Sequence, residues 1–138
     1  MSTQEPYVRY NRTIGTAKEL AVAINAKLRE LGLKHFNRAT ERTVRYYRTR
    51  RLIDPPHGVQ EDLRKAVFSE LQMYQACLLL ALGARGYKLS VIKRMHGTMI
   101  RRHHDGVDLT PAIDALRALG KCEASVDDIV SGRNDTVK

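Results

Sequence analysis

Two cysteines, Cys77 and Cys122, are all the thiol chemistry this chain of 138 residues has. They are too few and too far apart for a disulfide framework or a Cys-x-x-Cys metal site, so a reduced compartment is the simplest setting. No stretch approaches the ~20 apolar residues that a membrane-spanning helix needs, and Met1 to Glu5 lacks the basic-then-apolar order of a signal peptide. The chain is therefore expected to be soluble and intracellular, with no membrane partner. Catalytic patterns are missing as well. Glu61-Asp62 and Asp127-Asp128 are adjacent carboxylates rather than opposed ones, no Ser, His and acid are recognisably arranged, and no glycine-rich phosphate loop is present. No enzyme and no cofactor are expected. His103-His104-Asp105 and Cys122 carry ligand atoms for zinc or copper, but neighbouring histidines point apart on a helix and no second pair is spaced to complete a site, so no metal is expected.

Acid is the scarcer charge. Lys and Arg total 24 against 15 Asp and Glu, for a formal net charge of +9. Residues 1–65 hold 14 basic and 7 acidic residues, and residues 66–138 hold 10 and 8. The excess lies in the first half and favours a polyanionic partner, nucleic acid or an acidic membrane surface. A chain of this length forms one domain, with or without a tail, and buries roughly two-thirds of its unfolded surface.

Residues 1–15 are polar and without helical period, which reads as a flexible arm. Thr16-Ala17-Lys18-Glu19 has the spacing of a capping box, and Ala17, Leu20, Ala21, Ile24, Leu28 and Leu31 then recur at intervals of three and four, up to a stop at Gly32. Leu33 to Ala39 forms a turn, with Leu33 and Phe36 expected to plug the joint between helices. A second helix over about 41–50 is bounded by Thr40, whose hydroxyl can accept from free backbone amides, and by Pro55-Pro56. At 100° per residue Val44 and Tyr47 share one side, while Arg42, Arg45, Tyr46 and Thr49 share the other. A cationic and aromatic face on so short a helix has the size and chemistry to enter a DNA major groove. A solvated basic helix has the same composition.

His57 to Val67 has turn formers and then Arg64 and Lys65, as a two-stranded wing would. Ser69-Glu70-Leu71-Gln72 is a second capping box, with Phe68 placed to staple onto Met73, and a mostly buried helix follows as far as Gly83. Another helix begins at Leu89. Beyond Met95, Arg101 to Gly106 interrupts, Thr110-Pro111 opens a helix of about ten residues closed by Gly120, and Ser125 to Ser131 adds one or two turns. No heptads recur.

Thr43-Val44-Arg45-Tyr46-Tyr47, followed by Leu52-Ile53 and the proline pair, resembles the recognition helix and turn of MerR-type winged-helix regulators, in which a Thr-Leu-Arg-Tyr-Tyr run precedes Gly-Leu-Leu and a proline. The run Leu82 to Lys93 resembles that family's linker between its third and fourth helices. The two matches cover roughly residues 16 to 96 in the family's order. The family's Gly-aromatic-Arg-x-aromatic wing pattern is absent here apart from the closing Phe68-Ser69.

The resemblance implies a mainly α winged helix-turn-helix domain over 16–96, with a short β-hairpin wing, an arm at 1–15 and a short helical extension over 97–138. It implies a sequence-specific, double-stranded-DNA-binding transcriptional regulator in the bacterial cytoplasm or nucleoid, acting as a homodimer, with RNA polymerase a further candidate partner. Arg42, Thr43, Arg45, Tyr46 and Thr49 fall on its recognition helix, Arg48, Arg50 and Arg51 beside the backbone, and Arg64 and Lys65 on the wing. Two alternatives fit the same charge. One is a protein-interaction adaptor whose basic face meets an acidic partner, and the other an excisionase-like architectural protein that bends DNA.

Overall fold

A computed structural model describes residues 11–33, 36–56, 66–103 and 106–130, the last seven of these as backbone only. Its elements run β1 (Thr13–Gly15), α1 (Ala17–Glu30), α2 (Glu41–Thr49), β2 (Phe68–Ser69), α3 (Glu70–Gly83), α4 (Leu89–Met99), β3 (Arg101–His103), β4 (Gly106–Asp108) and α5 (Thr110–Val130). The described residues form a mainly helical domain with two small antiparallel strand pairs, in keeping with a winged helix-turn-helix. The wing expected over 57–67 lies mostly outside the described residues, and Arg64 and Lys65 with it.

α3 is the axis. Every residue from Leu71 to Leu82 is buried, which a helix tolerates only when neighbours surround it. α1, α4 and α5 supply those neighbours, and α2 packs on α1. Cys77 is wholly enclosed, acting as a small core hydrophobe, and burial pushes its thiol pKa up. Two polar residues interrupt the apolar surface of α3, Gln72 and Gln75, and both are used. Gln72 accepts from the backbone N–H of Ser69 at 2.8 Å, as its capping box requires, and donates to the Pro55 carbonyl at 3.0 Å. Gln75 exchanges two hydrogen bonds with Asp54, at 2.8 and 3.0 Å. The segment that leaves the second helix is thereby fastened to the axis of the domain.

The helix starts follow from local chemistry. The Thr16 hydroxyl accepts from the Glu19 N–H, and the Glu19 carboxylate accepts from the Thr16 N–H. The end of the polar arm is tied down rather than free. Thr13 pairs with Ser69 and Gly15 with Phe68, with a bulge between them, and the Arg12 carbonyl and the Asn11 side chain accept from the first amides of α3, those of Glu70 and Leu71. Those amides have no partner inside the helix, so a neighbouring chain segment satisfies them.

Past α4 the structure departs from the expected pattern of a loop and two short helices. Arg101–His103 and Gly106–Asp108 form a hairpin, with Arg102 opposite Val107. α5 then runs through Gly120 without a stop. Gly120 is buried where α5 meets the end of α1: a Cβ there would fall inside the van der Waals shell of the Leu31 carbonyl oxygen. This glycine permits close approach instead of ending a helix. Leu116 and Ile113 reach the main core, and Glu123 forms an ion pair with Arg85 that joins α5 to the C-terminal end of α3.

Candidate nucleic-acid interface

α2 has nine residues, too few to be stable alone, so its ends and its buried face must hold it. At its start, Thr40 Oγ1 accepts from the Thr43 N–H at 3.2 Å and Thr43 Oγ1 accepts from the Thr40 N–H at 3.0 Å, a box closed by two threonines. The Thr43 hydroxyl is thus engaged in the cap. At its end the Leu52 N–H reaches the Tyr47 carbonyl at 2.8 Å and the Arg51 N–H the Arg48 carbonyl at 3.0 Å, a Schellman turn. Val44 and Tyr47 are buried, and burial pushes the Tyr47 phenol up to about 12. At ~1.5–3 kcal/mol for each large apolar side chain removed from water, these two anchor the helix in the core.

The entry of α2 is set by a residue that the apolar stripe of α1 conceals. Asn25 is 5% exposed; its Oδ1 accepts from the Ala39 N–H and its Nδ2 donates to the Ala39 carbonyl, both at 2.9 Å. Ala39 immediately precedes the cap, so this two-pronged clamp fixes the angle between α1 and α2. Leu33 is buried and Phe36 half-buried in the same joint. Asn25 shares the face of Ala21 and Leu28, and a polar residue within that stripe was the signal available to find it.

With one side so held, the other is open. Arg42, Arg45 and Thr49 are exposed and Tyr46 is 45% exposed. Arg45 forms an i,i+4 ion pair with Glu41, and its side chain remains 64% exposed, so the pair orients the guanidinium without covering it. The Arg50 guanidinium lies 5.3 Å from the centre of the Tyr46 ring, stiffening the aromatic edge of the face. Arg48 is half-buried and turns with Arg51 toward a cleft beside the helix, which Arg101 and Arg102 of β3 also line. Arg102 binds Asp54 at 2.9 Å. No pattern in the sequence pointed to β3 as a wall of that cleft. His103 is exposed on the same strand, Cys122 is exposed on α5, and His104 and Asp105 lie outside the described residues.

A family model for MerR HTH family regulatory proteins matches residues 28–96, which take in α2, α3 and most of α4. The chain belongs to the MerR HTH family. No curated protein and no solved structure shows significant similarity to it. Membership makes this MerR-family chain a DNA-binding transcriptional regulator, in a family that is regulatory and not enzymatic. No described helix of the MerR-family chain is long and apolar enough to cross a membrane. The hairpin β3–β4 and α5 fall beyond the matched segment.

Proposed function

We propose that the protein reads double-stranded DNA sequence-specifically by inserting α2 into the major groove. The observation that carries this reading is the division of α2 into a buried side, Val44 and Tyr47, and an exposed guanidinium and phenol side, Arg42, Arg45, Tyr46 and Thr49. Arg and Tyr present donors to guanine edges and an apolar ring to the groove, while Asn25 and the Thr40–Thr43 box preorganise their common scaffold. In this reading Arg48, Arg50 and Arg51, with Arg64 and Lys65, neutralise backbone phosphates and set the register.

One such head spans only a few base pairs, so two copies acting on a two-fold operator complete the site. RNA polymerase is then the partner through which the regulator acts, in the compartment that holds bacterial DNA. Selection of bound fragments from random duplex DNA tests both points: an inverted repeat is expected, and fragments without a shared sequence would refute specific reading. With five phosphates neutralised, the logarithm of affinity should fall against the logarithm of salt with a slope of about −4.5. A complex insensitive to salt, or one that only bends circularly permuted probes without sequence preference, contradicts the mechanism.

A further inference from the structure

The Schellman turn that ends α2 contains a residue that helix chemistry disfavours there. Arg51 has φ +59, and in the same hydrogen-bond pattern at the end of α1 the chain uses Gly32, at φ +84. A Cβ is unfavourable in the left-handed region, so a non-glycine held there calls for a functional reason. Arg51 lines a cleft of about 1030 Å³ bounded by the end of α2, the following loop, α4 and β3. Arg48, Lys93, Arg101 and Arg102 also line it, and Asp54 is the one carboxylate among the described lining residues. Asp54 is already paired with Arg102. Side chains of like charge, four of the five exposed, thus line one cleft from separate elements, a setting that attracts an anion. Arg48 lines the cleft as well; its Nε is out of reach of solvent, with no hydrogen-bond acceptor among the described residues, so an anion in the cleft would meet the terminal nitrogens of its guanidinium.

We propose that this cleft binds a small molecule carrying two or more phosphate groups, held by Arg48, Arg51, Lys93 and Arg101. Its shape distinguishes between sources of phosphate. The volume is that of a small-molecule site, whereas a duplex presents its phosphates along a convex ridge. Occupancy would draw on two of the cations, Arg48 and Arg51, that the proposed DNA complex places against the backbone. The ligand thus becomes a competitor of the duplex; that consequence rests on the DNA reading, and the site itself does not.

The test is calorimetric titration of the full chain with inorganic pyrophosphate at constant ionic strength, without DNA, and with sulfate as control. Saturable binding with one site per chain is expected, at least tenfold tighter for pyrophosphate than for sulfate. Arg51→Gly and Arg101→Ala should each weaken it at least tenfold. Arg51→Gly should melt at or above the wild-type temperature, because glycine relieves the left-handed backbone, so its loss of binding is not a loss of fold. In a second arm, Arg101→Ala should bind duplex DNA as wild type does, while saturating pyrophosphate weakens duplex binding about tenfold for wild type and leaves that variant unaffected. Equal affinity for pyrophosphate and sulfate, or indifference to both substitutions, overturns the site. So does a matching loss of duplex affinity in Arg101→Ala, which would give the cleft to the DNA backbone. Pyrophosphate binding as described, in a chain that binds no duplex, would uphold the site and refute the DNA reading alone.

Discussion

Replacing Asn25 with leucine tests the joint on which the presentation of α2 depends. The change keeps the branching of the side chain and adds volume, so it opens no room for water, yet it leaves the Ala39 N–H and C=O, now each bonded at 2.9 Å, without partners in a buried position. A buried polar group stripped of its partner costs about 1–3 kcal/mol, and the added apolar burial of leucine returns part of the sum, so a net loss of about 2–4 kcal/mol is expected. At about 4 °C per kcal/mol for a domain of this size, the melting temperature should fall by about 8–16 °C. The protein should still fold at 25 °C, because domains typically have 5–15 kcal/mol in hand. Asn25→Asp separates hydrogen bonding from packing. It keeps the acceptor for the Ala39 N–H but turns an oxygen toward the Ala39 carbonyl, a repulsion that protonation removes. Its deficit relative to wild type should therefore shrink as pH falls. Thermal melts of the three proteins at several pH values check this, and duplex affinity measured well below the melts should drop with the clamp. A leucine variant melting within about 2 °C of wild type would refute the reasoning, as would an aspartate variant whose deficit ignores pH.

Other perturbations have outcomes of definite sign. Gly120→Ala should lower the melting temperature: helix propensity alone would add up to about 1 kcal/mol, but forcing a Cβ against the Leu31 carbonyl costs more, and a rise would refute the close approach. His96 is 7% exposed and its pKa is lowered to about 4, chiefly by burial, so the unfolded chain binds the proton more readily than the folded one. Its contribution, about 3 kcal/mol, is complete above pH 6.5 and lost as pH falls toward about 4; His96→Gln should flatten that part of the stability curve in urea titrations. Arg45→Ala should weaken specific duplex binding by about 1–3 kcal/mol, with little change in melting because its Glu41 pair lies at the surface. An equal loss on every sequence would reassign Arg45 to a phosphate.

What could be read from the sequence was local. The Thr16 and Ser69 capping boxes, the bounds of α2 and the opposition of Val44 and Tyr47 to Arg42 and Arg45 all arise from residues three or four positions apart, and period and cap chemistry at that range are encoded directly. Motifs at the same scale carried the family resemblance. The tertiary structure decided what depends on distant partners. Asn11 serves Leu71 across 60 residues, Glu123 holds Arg85 across 38, and Asn25 clamps Ala39 across 14. Gly120 looked like a helix stop because glycine has two uses, and only the nearness of Leu31 selects close approach. The cleft was equally hidden. Its cations stand on α2, α4 and β3, and Arg51 carries no mark in the sequence of the left-handed backbone that places it there. Spacing along a chain specifies which side of a helix a residue occupies, but which sides meet is settled by packing.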